Sequence, residues 1–461
     1  MSTLAVSTLE VAYPYTGEVV GEVTLHSADE IRTALDAAAD ARVALDRYER
    51  SKALEHVANA IRASSDELAV LITRESGLAL KDTRHEVVRA TDVFAFASRE
   101  ALRDDGEVYA SDVSPNGRRR RAFTVREPLR LAVAITPFNH PLNQVAHKIA
   151  PAMAAGTPIV LKPSEKTPLS ALWLARAVAE SGYPAEAAVV LTCDPRTFLA
   201  EALAHDDVEV VSFTGSVVVG QEIARCAGFR RVVLELGGND PLLVLADADL
   251  DEAAALAVAG ATGNSGQRCT AVKRILAEAP IEEALADHIE TRATELVVGD
   301  PLDERTDVGT LIDEDAAVRV ERRVADAIAA GARLRHGGGR DGAQLVPPVL
   351  DRVSPDMELV REETFGPAVP IMRVDDLEHA LAVANGTRYG LSAGVVTNDY
   401  RAINRCIREL RCGTVNIGET PSFRTEQTPF GGIKASGLGV KEGVVEAIRS
   451  LTTVKLATLP W

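Results

Sequence analysis

What most constrains this chain is a succession of short, β-branched apolar runs that begins at residue 131. "RLAVAITP", "TPIVLKPS", "AAVVLT" and "VEVVSFTGS" are punctuated by Pro, Gly and Ser, and helical segments such as "LSALWLARAVAESG" and "RTFLAEALAH" separate them. Strands without polar alternation are buried on both faces, and strands alternating with helices are joined by crossovers, so the pattern predicts a parallel α/β sheet covered on both sides. A second series begins near "RVVLELGGNDPLLVL" and runs to about residue 430. From Ala28 to about Ala101 apolar residues recur every three or four positions, which predicts helices. A turn signal, "SPNG", follows; "RRRRAFTVREP" then reads as a hairpin strand with Arg118 to Arg121 in solvent, and the chain ends in a strand-like "SLTTVKLATLPW". "HGGGRDG" (His336 to Gly342) follows no predicted strand and opens no helix, so it reads as a surface loop with no part in phosphate binding.

A chain of 461 residues with 46% hydrophobic content can bury the cores of two or three domains, and with 4% aromatics those cores are built from Ala, Val, Leu and Ile. The net charge of -17 argues against nucleic acid as a partner. An anionic substrate must then be drawn by a local basic pocket. The five cysteines (Cys193, Cys226, Cys269, Cys406, Cys412) are odd in number and form no CxxC pair, so neither a disulfide framework nor a metal site is expected, and a reducing cytoplasm fits. The start lacks the basic and apolar regions of a signal peptide, and no apolar run approaches the roughly 20 residues that span a bilayer, so no membrane partner is expected.

Polar groups stand at the ends of several apolar runs, where α/β proteins place ligands. "ITPFNHPLNQ" holds Asn139 and His140, "LKPSEKTP" holds Lys162 and Glu165, "VVSFTGSVVVG" runs into a Gly-Ser turn, and "LELGGND" holds Glu235. Cys269 lies in "TGNSGQRCTAVKRI", among small and polar residues that read as a loop, with Arg268 beside it to favour a thiolate. Each stretch also has a plainer reading. Asn139 could cap a turn, Lys162 and Glu165 could be a surface ion pair, Glu235 could be an ion-pair partner, and Cys269 could be a buried small hydrophobe. No G-x-G-x-x-G fingerprint is present.

In order, "PFNHP", "LKPSE", "SFTGS", "LELGG", "GQRCT", "EETFGP" and "PFGGIKASGLG" resemble the aldehyde dehydrogenase superfamily, from about residue 10 to the C-terminus. The resemblance implies two doubly wound parallel-sheet domains with a small β oligomerisation element. Residues 1-114, 131-232 and 433-449 would bind NAD, residues 233-432 would carry the nucleophile, and 115-130 with 450-461 would build a homodimer or homotetramer. It implies Cys269 as the nucleophile, Asn139 and the Cys269 N–H as oxyanion donors, and Glu235 as the base that hydrolyses a thioester. For the cofactor it implies Thr136, Pro137 and Phe138, then Lys162, Ser164 and Glu165 at the adenosine ribose. Phe213, Gly215, Ser216 and Leu236 would lie along the dinucleotide, and Glu363 and Phe365 at the nicotinamide end.

Between Tyr183 and Asp207 the chain lacks the glycine-containing turn of many relatives. On the substrate side, Arg89, His140, Arg268 and Thr425 are the residues expected to face the aldehyde. Two arginines and a histidine match a dianionic head group, and the set resembles the phosphonate-aldehyde dehydrogenases acting on phosphonoformaldehyde or phosphonoacetaldehyde. Lactaldehyde, glycolaldehyde or a semialdehyde is the alternative if the arginines pair internally. A cysteine-dependent hydrolase or acyltransferase is the alternative of another class.

Overall fold

The two apolar series fold into two separate parallel sheets in the computed structural model, which describes residues 7-440 and 442-460. The first sheet has the order Ala188–Val190, Ile159–Lys162, Leu131–Ile135, Val208–Thr214, Arg231–Glu235, with every pair parallel. The chain starts at the centre, steps outward twice, then returns to the other side of Leu131–Ile135. The order therefore reverses between Leu131–Ile135 and Val208–Thr214, which opens a crevice beyond their carboxyl ends. Leu131 to Ile135 are all buried, as helices on both faces require.

The second sheet runs Arg333–His336, Val349–Asp351, Val369–Val374, Val272–Glu278, Asp240–Val244, Ser392–Val396, Thr414–Ile417. It is parallel except at one edge, where Arg333–His336 lies antiparallel to Val349–Asp351. That edge corrects one expectation: His336 ends a strand, so "HGGGRDG" does follow one, although it opens no helix. A third, antiparallel sheet pairs Thr452–Pro460 with Arg120–Pro128 and the latter with Val108–Tyr109. Arg118 to Arg121 are exposed there, as anticipated.

Four helices precede the first sheet: Ala28–Asp40, Arg47–Ala63, Ser65–Ser76 and Leu80–Ala101. The first two begin with capping boxes, Ser27 with Glu30 and Asp46 with Glu49. Two buried carboxylates from this helical region cap helices of the sheet. Glu75 accepts the Leu169 and Ser170 N–H groups at 2.7 and 3.2 Å, and Glu86 accepts those of Leu142 and Asn143 at 2.9 and 3.0 Å. A negative charge at a helix N-terminus satisfies orphan donors and meets the positive end of the dipole. Glu86 thus fixes the start of helix Pro141–Ala155, immediately after Asn139 and His140.

Candidate active site

Cys269 owes its placement to an unusual loop. Helix Leu250–Thr262 ends, and Asn264, Ser265 and Gly266 follow with φ of 60°, 53° and 67°. Left-handed conformations at non-glycine residues cost on the order of 1–3 kcal/mol each, so neighbours must hold them. Asn264 donates its N–H to Asp82 at 2.9 Å and its side-chain amide to the Asn139 carbonyl at 2.7 Å. Gln267 accepts the Ile312 N–H at 2.9 Å. Gly266 sits against the Gly366–Pro367 backbone, where a Cβ would overlap it. Cys269, next on this clamped segment, is partly exposed, unlike the buried Cys193 and Cys406.

Asn139 shares this arrangement. It is buried, and its Nδ2 donates to the Gln267 carbonyl at 2.8 Å, which leaves one amide proton uncommitted to that bond. Glu235 is the last residue of its strand and is buried, with its carboxylate against Gly431 of "PFGGIK". Burial pushes the Cys269 thiol up, opposed first by Lys273 and then by Arg424. This corrects the expectation drawn from Arg268 alone. Desolvation outweighs the neighbouring cations, and Lys273 and Arg424 act on the sulfur most strongly.

The carboxyl ends of the first sheet form the other half of the crevice. Lys162 is buried and its ammonium lies 2.7 Å from the half-exposed Glu165 carboxylate, so the plain ion-pair reading holds in part. Burial alone would raise the Glu165 pKa, but the lysine holds it below the usual range. The Ser164 hydroxyl accepts the Lys166 N–H. The Phe213 ring lies 2.5 Å from where a Cβ of Gly215 would stand, so only glycine lets this turn close over the ring. Ser216 caps helix Val217–Cys226, as its turn predicted. The buried Thr136 and Thr214 hydroxyls have no hydrogen-bond partner among the described residues. Orphaned hydroxyls and a helix N-terminus at the strand ends suit a pyrophosphate-linked dinucleotide. In the stretch without the expected glycine turn, Asp194 caps helix Pro195–Ala204.

Where the nicotinamide end is expected, Glu363 accepts Lys273 Nζ at 2.9 Å and the Gly238 N–H at 3.2 Å. Phe365 meets Phe138 edge-on at 5.9 Å, with Pro137 and Phe138 partly exposed. Leu236 is buried and donates its N–H to the Ser436 carbonyl at 3.1 Å.

The substrate side departs most from expectation. Arg89 does not stand free: its Nε lies 2.5 Å from Glu426, whose other oxygen meets the buried His147. Burial alone would raise the Glu426 pKa, but His147, Arg89 and Arg424 hold it far below the usual carboxylate range. His140 is no cation at neutral pH: burial lowers its pKa to about 4, against the opposing pull of Glu86. Thr425 is exposed, and its neighbour Arg424 is the residue that turns inward, 4.1 Å from the Phe430 ring centroid. Arg268 has no carboxylate within ion-pair distance among the described residues, and burial and Arg89 bring its guanidinium to about 10, still charged at neutrality. An open groove past Lys81, Thr262 and Gly263 reaches Arg268 from solvent. Arg424, Glu426, Lys273 and Glu86 were not singled out from the sequence. Arg424 alone had a visible signal, a cation one residue from the predicted Thr425.

A family model described as "Aldehyde dehydrogenase family" matches residues 2–457. A 3-sulfolactaldehyde dehydrogenase of Priestia aryabhattai is 38% identical over 452 residues, covering 98% of this chain and 94% of the relative. Among solved structures, glyceraldehyde-3-phosphate dehydrogenase of Methanocaldococcus jannaschii complexed with NADP superposes with a TM-score of 0.94 at 37% identity, over 98% of this chain and 99% of that one. Aldehyde dehydrogenase 21 of Physcomitrella patens, in complex with its reaction product succinate, gives a TM-score of 0.96 at 33% identity, over 99% and 95%.

Proposed function

The chain belongs to the aldehyde dehydrogenase family, and from that premise we propose that it oxidises a small aldehyde bearing a terminal oxyanion, with NAD preferred over NADP. The observation that carries the substrate class is the pair Arg268 and Arg424. Both lie close enough to Cys269 to act on it electrostatically, Arg268 has no carboxylate partner among the described residues, and Arg424 is 3.9 Å from Glu426. Guanidinium forks match tetrahedral oxyanions. The relatives reported above act on, or have bound, a sulfonate, a phosphate ester or a dicarboxylate product, which supports an acidic head group without favouring phosphonate. Sulfonate aldehydes stand first, and phosphonoformaldehyde or phosphonoacetaldehyde is kept as the dianionic variant. Pairing of Arg89 with Glu426 favours a second reading, a neutral aldehyde such as lactaldehyde.

Cys269 bonds to the aldehyde carbon, and the developing oxyanion accepts from the uncommitted Asn139 amide proton and the Cys269 N–H. Losing one such donor typically costs about 100- to 1000-fold in rate. A bound dinucleotide supplies what no side chain can, an acceptor for the hydride. Cys269 holds the carbon throughout, first as thiohemiacetal, then as thioester. Glu235 takes the proton of the water that releases the acid. Thr136, Lys162, Ser164, Glu165, Phe213, Gly215, Ser216 and Leu236 would hold the dinucleotide, with Glu363 and Phe365 at its reactive end. Residues 1-114, 131-232 and 433-449 would thus be the cofactor domain. The exposed Val454 and Leu456 on Thr452–Pro460 support a homodimer or homotetramer built through 115-130 and 450-461.

A steady-state screen tests the proposal: aldehydes carrying sulfonate, phosphonate, phosphate ester, carboxylate or no charge, each with NAD and NADP. The charged set should exceed propanal in kcat/KM by about 30-fold or more, the worth of one charge-assisted contact of at least ~2 kcal/mol. Equal use of propanal and the charged set would leave the neutral reading.

A further inference from the structure

Lys273 stands on Val272–Glu278, the strand that leaves the nucleophile loop. Its ammonium is buried and donates to the carbonyls of Cys269 and Gly238, both at 2.8 Å, and to the Glu363 carboxylate at 2.9 Å. An ammonium has three protons, and all three are engaged. A charge kept this deep must be paired, and its pairing joins the nucleophile's own peptide to a carboxylate on a distant loop. The charged groups facing the Cys269 sulfur are Lys273, Arg424 and Arg268 on the positive side and Asp240 and Glu363 on the negative. Burial pushes Asp240 to about 8, so it is mostly protonated near neutrality and Glu363 is the effective counter-charge of Lys273.

We propose that Lys273 is the positioning residue that ties Glu363 to the nucleophile: it pins the Cys269 carbonyl, and its charge, shared with Glu363, sets how readily the thiol ionises. The proposal rests on the reading of Cys269 as nucleophile. Pinning that carbonyl fixes the backbone on which the sulfur and the oxyanion-donating N–H are carried. An ammonium shared with a carboxylate supports a thiolate less than one left unshared, so the two residues act on the sulfur with opposite sign.

The test is the pH dependence of iodoacetamide alkylation of Cys269 in the full chain, with the labelled residue identified by mass spectrometry. Lys273→Met should shift the profile up by about one pH unit, about tenfold slower labelling near neutrality. Lys273→Arg should restore most of the shift, and Glu363→Gln should move the profile down. Superimposed profiles for wild type and Lys273→Met would overturn the proposal, as would Glu363→Gln shifting upward. If Lys273→Met fails to fold, Glu363→Gln decides: an unmoved or upward profile rejects the proposal. Cys269→Ser serves as control. Turnover retained in that variant would reject the nucleophile reading itself, a result distinct from any change in the Lys273 series.

Discussion

Lys162 with Glu165, on the dinucleotide half of the crevice, and Arg89 with Glu426, on the substrate half, are both cation–carboxylate pairs, yet they are built differently. The first pair lies three residues apart, one at a strand end and the other in the turn that follows. The second joins a helix to a loop across 337 residues of chain and is nearly buried. The local pair leaves its carboxylate half-exposed, which is what the proposed exchange of its lysine for ribose hydroxyls needs. The remote pair is committed: removing Glu426 strands the buried Arg89, and removing Arg89 leaves Glu426 to His147 and Arg424 alone. The dinucleotide half is thus a set of groups waiting at strand ends. In the proposed substrate half some charges hold the walls together, while Arg268 has no carboxylate within ion-pair distance among the described residues and Arg424 only shares Glu426 at 3.9 Å; these two are the ones proposed to meet the ligand.

The sharpest separation of the halves comes from Cys269→Ser. Turnover should vanish, to below a few per cent, because a serine hydroxyl is far less ionised than the thiol, while dinucleotide affinity by fluorescence titration stays within about twofold. Glu235→Gln should cut steady turnover by about 100-fold or more and still give one burst of reduced dinucleotide per site. Loss of burst and turnover together would assign Glu235 to activating Cys269.

The substrate half divides next. Arg268→Ala and Arg424→Ala should each lower kcat/KM on an anionic aldehyde by about 30-fold or more and leave propanal nearly unchanged. Arg89→Ala should instead depress both substrates and stability, visible as a lower Tm, since the buried Glu426 loses one of its three cationic neighbours. If Arg89→Ala behaves like Arg268→Ala, the distinction between wall and ligand charges fails.

Smaller still is the cofactor preference. Glu165 would repel a 2′-phosphate, so NAD should exceed NADP by about tenfold in kcat/KM, one repulsive contact being worth at least ~1.4 kcal/mol. Glu165→Gln should bring the two cofactors together. The least effect is expected of His140. Were it a cationic ligand group of ordinary pKa, kcat/KM for an anion would fall as pH rises through about 6.5. With its pKa lowered to about 4 it is already neutral there, and no such break should appear.

The comparison also explains what could be read from the chain itself. Lys162, Glu165, Gly215, Ser216 and Glu235 stand at the ends of apolar strands, and strand ends are visible as the point where β-branched runs meet Pro or Gly. Both sheets were legible for the same reason. The antiparallel edge Arg333–His336 was not, because four residues with little apolar content carry no period. Arg89 was placed correctly on a helix, but its partner Glu426 lies in an irregular loop, and no local pattern announces a contact across most of the chain. Thr425 and Arg424 differ by one residue; which of them faces inward depends on loop backbone that composition does not encode. Lys273 looked like any residue of a strand start.

Glu75 and Glu86 extend the argument from space to the order in which the chain is made. Their ligands lie downstream: the N–H of Leu169 is 94 residues beyond Glu75, and that of Leu142 is 56 beyond Glu86. This helical region therefore leaves the ribosome carrying two acids whose receiving N–H groups are still to be made. In the finished protein burial pushes the Glu75 carboxyl up to about 7, against the lowering effect of the Ser170 and Leu169 hydrogen bonds. The hydrogen bonds that receive these two acids can therefore form only once the chain has been made through Ser170.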